Sequence, residues 1–211
     1  MRNPITIVDY GAGNLTSVER ALTALGIRAG ISGSPDRIRK ADRVIFPGVG
    51  AAGQAMNRLR ETGLDQALKE VFQKGNPILG ICIGCQIIMD ESEENRTACL
   101  GFIPGRTIPF PAPLIDSRGE RLKVPHMGWN QVRSIRDHPL FAGVNPEAEF
   151  YFVHGYHPLP DQRDHIYGMT DYGIEFPSVI GRENLVAVQF HVEKSGRPGL
   201  SVLDNFISWS P

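Results

Sequence analysis

The sequence predicts an α/β fold: a mainly parallel central sheet with helices on its faces and added, antiparallel strands beside it. Three observations lead there. The first half alternates short apolar runs with apolar residues at helical spacing. The second half carries Pro104, Pro109, Pro111, Pro113 and Pro125, which exclude long helices there. One apolar run ends in a glycine-flanked turn and passes straight into a helical segment.

Taken in order, Ile5–Val8 reads as the first strand. Asn14 follows as a candidate helix cap, and Leu15, Val18, Leu22 and Leu25 recur at helical spacing. Between them, Gly11-Ala12-Gly13 lacks the third glycine of a dinucleotide fingerprint, because position 16 is Thr, and reads as a tight loop. Val44–Phe46 is the next strand, ended by Pro47-Gly48. Met56, Leu59, Leu64, Ala67, Leu68 and Val71 predict helix around a break at Gly63. Pro77–Ile81 is another strand, with Gln86–Asp90 helical after it. Phe150–Val153, His165–Met169 and Leu185–Phe190 read as strands, and Leu200, Leu203, Phe206 and Ile207 as a closing helix. No linker, repeat or low-complexity tract divides the chain, so one domain over 1–211 is expected.

Composition narrows the function classes. The 211 residues are 41% hydrophobic and 21% charged, with a net charge of −1. That balance fits an ordinary globular protein and offers no basic surface for nucleic acid or for a membrane. The apolar run after Met1 is too short for a secretion signal, and no stretch reaches the roughly 18 apolar residues of a span. A cytoplasmic location is expected. The three cysteines, two of them at Cys82 and Cys85, read as reactive or core thiols and not as a disulfide framework.

The sharpest feature is Ile78-Leu79-Gly80-Ile81-Cys82-Ile83-Gly84-Cys85-Gln86. A strand runs into Gly-x-Cys-x-Gly and then a helix, the layout of a nucleophile elbow with cysteine in the serine position. The glycines permit a sharp turn and close packing of backbone on backbone. A helix N-terminus favours the thiolate, and the backbone N–H of Ile83 can face a developing oxyanion. Pro47-Gly48-Val49-Gly50 is a second glycine-rich turn after a strand. Its N–H groups can complete an oxyanion hole; the plainer reading is an ordinary strand-to-helix loop.

Gln189-Phe190-His191-Val192-Glu193 supplies a base. In an extended segment the i,i+2 spacing turns Glu193 to the side of His191, where a carboxylate fixes the imidazole tautomer. Two rival readings use the same residues. Cys82-Ile83-Gly84-Cys85 is also the spacing of a dithiol redox centre, and the two thiols with His191 form part of a zinc ligand set. The redox reading leaves the second glycine turn and the His-x-Glu pair without a task. The zinc reading finds no second Cys or His pair at ligand spacing.

These two runs resemble the class I (triad) glutamine amidotransferases. Further marks narrow the resemblance to the glutaminase subunits of imidazole glycerol phosphate synthase: Asp9-Tyr10-Gly11-Ala12-Gly13-Asn14-Leu15, Pro47-Gly48-Val49-Gly50, Ser92-Glu93-Glu94, Val124-Pro125-His126-Met127-Gly128-Trp129-Asn130 and Tyr151-Phe152-Val153-His154. The resemblance implies a three-layer, flavodoxin-like fold and a catalytic triad of Cys82, His191 and Glu193. It implies that Gly48, Val49, Gly50 and Ile83 serve the oxyanion, and that Gln86, Glu94 and the backbone at Gly155 and Tyr156 hold L-glutamine. Trp129, Asn130 and Tyr151 match positions facing a (β/α)8 cyclase partner in a heterodimer. No metal or organic cofactor is implied. The reaction would release glutamate and pass ammonia to the cyclase in histidine biosynthesis. A paralogue feeding a sugar-amidating synthase and, more remotely, a CxxC dithiol protein are the alternatives. Four positions depart from the usual pattern: Val192 in place of Pro, Cys85 in place of an apolar residue such as Met, Gly155 in place of Ser or Thr, and His157 after Tyr156.

Overall fold

The computed structural model describes residues 5–11 and 13–211. The reading of residues 1–4 and of Ala12 in the first glycine turn falls outside them. The first half unfolds as β1 (Ile5–Val8), α1 (Leu15–Ala24), β2 (Ala29–Ser32), α2 (Pro35–Arg39), β3 (Arg43–Gly48), α3 (Ala52–Thr62), α4 (Leu64–Gln73), β4 (Ile78–Cys82) and α5 (Ile83–Gln86). The predicted break between α3 and α4 is Gly63, in the left-handed region at φ 73°, where a side chain would be strained. The middle of the chain contributes β5 (Met89–Ser92), β6 (Thr97–Ala98), β7 (Ile103–Pro109), β8 (His126–Gln131), β9 (Arg133–Ser134), β10 (Glu149–His154) and β11 (Tyr156–Pro160). The chain closes with β12 (Ile166–Asp171), β13 (Glu175–Arg182), β14 (Leu185–Val188) and α6 (Gly196–Ser208).

The main sheet has eight strands in the order β2-β1-β3-β4-β14-β13-β12-β9. The five from β2 to β14 are parallel, and β13, β12 and β9 add antiparallel pairings at one side. Successive residues of a strand face opposite ways, and this divides the core. Ile45, Leu79, Ile81, Val186 and Val188 pack with Val18 and Leu22 of α1 and Val202, Leu203 and Phe206 of α6. Val44, Phe46, Ile78, Leu185 and Ala187 pack with Ile38 of α2, Met56 and Leu59 of α3 and Leu68 of α4. Helix, sheet and helix form the three layers. A four-stranded sheet, β11-β7-β5-β6, and a two-stranded antiparallel ribbon, β10-β8, complete the fold.

Four local expectations need correction. Asn14 stands at the N-cap position of α1 with φ 79°, but its side chain does not cap the helix; it reaches the far end of the chain instead. Of the expected helix Gln86–Asp90 only Gln86 is helical: α5 stops there after one turn, and Met89 enters β5 as a buried strand residue. The run Ile87-Ile88-Met89 is fully buried, and its two β-branched residues favour strand over a continued helix. The run from Val192 to Lys194 is a 3-10 turn, not extended. Pro47-Gly48 belongs to β3 and does not end it. The sequence reading also passes over α2, β2 (a half-buried edge strand containing Gly30), β5 to β9, β11 and β13.

Candidate active site

Three neighbouring parallel strands deliver the site at their C-terminal ends, where ligands bind in open α/β sheets. In the register of β3 with β4, Gly48 lies opposite Cys82. In the register of β14 with β4, Val188 lies opposite Ile81, so Gln189 and His191 leave the sheet next to Cys82. Cys82 sits at φ 55° and ψ −106°, a strained conformation for a residue with a Cβ, costing about 1–3 kcal/mol. The turn is therefore made by the cysteine itself. The glycines serve close packing. A Cβ on Gly84 would stand 2.1 Å from the carbonyl oxygen of Phe46, and one on Gly80 2.9 Å from Cβ of Ala187. Gly48 is under the same constraint, because its Cβ would lie 1.7 Å from Oη of Tyr10. A single helical turn, α5, leaves little dipole at the thiol. The main electrostatic partner of Cys82 is His191.

His191 is 1% exposed, and its Nδ1–H donates to Oε1 of Glu193 at 2.6 Å. The 3-10 turn brings the two side chains together. Nδ2 of Asn14, at the start of α1, donates to the same carboxylate oxygen. Burial by itself would lower the imidazole pKa. The adjoining Cys82 sulfur, followed by the Glu193 carboxylate, outweighs it and pushes the value up to about 10. Nε2 of His191 and Oε2 of Glu193 are buried and have no hydrogen-bond partner among the described residues. Ser195 clamps the loop: its hydroxyl donates to His191 O at 2.6 Å and accepts from Tyr151 N at 3.0 Å.

Cys82 and His191 open into a cavity of about 410 Å³, lined also by Val49, Gly50, Ile83, Gln86, Glu94, Gly155 and Tyr156. The implied oxyanion and glutamine residues thus converge, with Gly48 just behind the wall and Glu193 behind His191. Gln86 commits Nε2 to the Tyr156 carbonyl at 2.9 Å and to Oε1 of Gln189 at 3.1 Å, leaving its own Oε1 for a ligand. Glu94 has a second task, since its Oε2 accepts from Ala52 N at 2.6 Å and caps α3. Gly155 is not sterically required: an added Cβ would meet only Val124, at 3.7 Å. A larger cavity, about 830 Å³ around His138, Phe141 and Phe150, contains none of these side chains.

Sequence reasoning missed four residues. Asn14 braces Glu193, Ser195 clamps His191, His154 lines the cavity, and Gln189 donates Nε2–H to the Cys82 sulfur at 3.8 Å. Gln189 had a usable signal, because it stands two positions before His191 in the same recognised run.

Cys85 is fully buried, and burial followed by the charge of Cys82 pushes its thiol well up; a buried neutral thiol is a poor second member of a redox pair. Among the described residues no group of three or more His, Cys, Asp or Glu side chains could hold a metal. No helix among them is long and apolar enough to cross a membrane.

On the ribbon, Tyr151 of β10 lies opposite Trp129 of β8, with ring centroids 5.9 Å apart. Trp129 is 54% and Met127 62% exposed. Val153, opposite Met127, reaches the cavity. The apolar outer face of the ribbon therefore adjoins the site.

Comparison with known proteins agrees with this architecture. The family model described as glutamine amidotransferase class-I matches residues 6–209. The imidazole glycerol phosphate synthase subunit HisH of Maridesulfovibrio salexigens is 53% identical over 205 residues, covering 97% of this chain and 96% of that one. The protein of the same name from Neisseria meningitidis is 46% identical over 209 residues, covering 96% and 98%. Among solved structures, PurLQS from Thermotoga maritima superposes with a TM-score of 0.72 at 16% identity, covering 99% of each chain. A glutamine amidotransferase from the same organism gives 0.66 at 14%, covering 99% of this chain and 82% of that one. The last two establish the shared fold. By family model and relatives together, the chain belongs to the class-I glutamine amidotransferases, in the group of imidazole glycerol phosphate synthase subunits named HisH.

Proposed function

We propose that the chain, as one domain over residues 1–211, is a cytoplasmic glutaminase that hydrolyses L-glutamine at Cys82 and passes the ammonia to a (β/α)8 cyclase partner. The observation that carries the reading is the strained Cys82 facing a cavity beside a buried His191–Glu193 pair joined at 2.6 Å.

The chemistry follows from the geometry. The glutamine carboxamide enters beside Cys82, and the thiolate attacks its carbon. Backbone N–H groups at Ile83 and in the Val49–Gly50 turn receive the oxyanion, at about 3 kcal/mol of barrier per donor. His191, protonated and braced by Glu193, gives a proton to the departing ammonia and leaves a γ-glutamyl thioester. The neutral imidazole then takes a proton from water, which attacks the thioester and releases glutamate. Oε1 of Gln86 and the carboxylate of Glu94 suit the ammonium end of the substrate. Ammonia set free in neutral water would be protonated and lose its nucleophilicity, so a partner seated on the Trp129–Tyr151 face beside the cavity serves the reaction. In this reading the acceptor is the activated ribonucleotide of histidine biosynthesis, and the assembly is a heterodimer.

The test is glutamine hydrolysis by the purified chain with the cyclase, with and without the ribonucleotide acceptor. Stimulation by both, lost in Cys82→Ser, is the expected result. Stimulation by a sugar-amidating synthase in their place would reassign the acceptor.

A further inference from the structure

Alternation along β8 and β10 puts His126 opposite His154 on the inner face of the ribbon, away from Trp129. Both rings are buried. Their hydrogen bonds admit only one assignment of protons, and it can be read from either end. At the inner end, the ring nitrogen Nδ1 of His154 lies 2.8 Å from the carbonyl oxygen of Tyr156. A carbonyl only accepts, so Nδ1 carries the hydrogen. Burial pushes the His154 pKa down to about 3 and that of His126 to about 4, so both rings are neutral near pH 7. Nε2 of His154 is then an acceptor, and it takes a hydrogen bond from Nδ1–H of His126 at 3.1 Å. That leaves Nε2 of His126 to accept from Nδ2 of Asn130, at 3.4 Å. At the outer end the same answer is imposed independently. Asn130 must turn its Nδ2 inward, because that nitrogen donates to the carbonyl of Asp171 at 2.8 Å while Oδ1 accepts from Gln131 N.

The Tyr156 carbonyl also fixes a second arm. The Gln86 atom facing it must be Nε2, whose other hydrogen must meet Oε1 of Gln189. The Gln189 amide is thereby oriented with Nε2–H on the Cys82 sulfur. Two backbone carbonyls, at Asp171 and Tyr156, thus set the direction of every bond from the ribbon to the nucleophile.

We infer that Gln189 is a further member of the catalytic apparatus, a donor to the Cys82 sulfur held in that sense through Gln86, and that His154 and His126 are positioning residues tying its anchor, the Tyr156 carbonyl, to Asn130 on the ribbon. The donor stabilises the thiolate and fixes the sulfur's direction before attack. The ionisable groups that the sulfur feels are His191, Tyr10 and Cys85. Gln189 adds a neutral donor that no titration removes. The inference deepens the glutaminase reading and rests on Cys82 being its nucleophile, yet its tests need neither glutamine nor partner.

The first test is the rate of Cys82 alkylation by iodoacetamide near pH 7, followed by peptide mass analysis. Gln189→Leu should slow it about fivefold, the value of one modest hydrogen bond, and Gln189→Glu, which sets a carboxylate against the sulfur, should slow it further. Equal rates in all three proteins would overturn the role of Gln189. Reaction of the unaltered chain at Cys99 and not at Cys82 would overturn the glutaminase reading instead. The second test is long-range proton–nitrogen correlation spectroscopy on the unaltered protein. Both His126 and His154 should appear as the Nδ1–H tautomer, and Nε2–H in either ring would overturn the relay. In the third, His154→Asn, which keeps an N–H near the Nδ1 position, should retain the alkylation rate. His154→Leu should lower it about twofold, as loss of a cooperating bond does. Equal rates in these two variants would sever the relay from the thiol.

Discussion

His191 and the His126–His154 pair are almost equally hidden from water, at 1%, 2% and 4% exposure, yet they are held in opposite charge states. His191 has the Glu193 carboxylate on one side and the Cys82 sulfur on the other, and its pKa is pushed up to about 10. Among the described residues His126 and His154 hydrogen-bond to each other, an amide and a backbone carbonyl, and burial pushes them down to about 4 and about 3. Depth of burial therefore does not decide the protonation of a histidine here. The partner atoms decide it: an anion makes an acid of the ring, and a carbonyl makes it a one-way hydrogen-bond link.

The comparison breaks most sharply at Glu193. Glu193→Gln removes the charge that sustains the His191 imidazolium and leaves only a neutral amide oxygen to accept from Nδ1–H. A fall in kcat of about 10²- to 10⁴-fold is expected, the scale of such changes in other triads, and steady-state glutamine hydrolysis measures it. A loss below tenfold would show that Asn14 and the thiol suffice to hold the ring.

The two histidine sites should also separate in the pH dependence of stability, with opposite signs. His191 is raised, so its contribution is complete below about pH 6.5 and is lost as pH rises toward about 10. His126 and His154 are depressed, so their contribution is complete above about pH 6.5 and is lost as pH falls toward about 4 and about 3. His138, half-buried and also pushed down to about 4, adds to the acid arm. Urea unfolding across this range should show each arm sloping by on the order of 1 kcal/mol or more. His126→Asn should flatten the acid arm and His191→Gln the alkaline one. If either variant flattened the wrong arm, the charge assignment would be reversed.

Tyr10 gives the smallest effect and sharpens the contrast, because among the described residues its buried hydroxyl has neither kind of partner. Burial, and then the charge of Cys82, pushes its pKa up. An unpaired buried hydroxyl destabilises, so Tyr10→Phe should raise Tm by about 3 °C in a thermal melt. A lower Tm would mean that the hydroxyl bonds to the adjoining Gly48 segment in solution.

The sequence made α1, α3, α4 and α6 and the strands β1, β3, β4 and β14 legible because their signals are local. Leu64, Leu68 and Val71 mark α4 by spacing alone, and the buried runs of β1, β4 and β14 are continuous. The edge strand β2 escaped because a half-buried run with Gly30 carries no such pattern. The elbow and the His-x-Glu pair were legible for the same local reason. The residues that hold them were not. Asn14 meets Glu193 across 179 positions, and Gln86 meets Gln189 across 103. Only the folded register brings such pairs together, and no spacing rule announces them. Even the correct inference that Glu193 sides with His191 rested on an extended segment where the chain makes a 3-10 turn.

The packing of Gly84 against the Phe46 carbonyl, at 2.1 Å from any added Cβ, bears on how this protein can be re-engineered. A combinatorial library at Gly84 would consist mainly of chains in which α5 cannot seat against β3. Diversity is better placed at Gly155, on the wall of the same cavity, where a new Cβ would find only Val124 at 3.7 Å. Substrate range is adjustable there without disturbing the turn that presents the thiol.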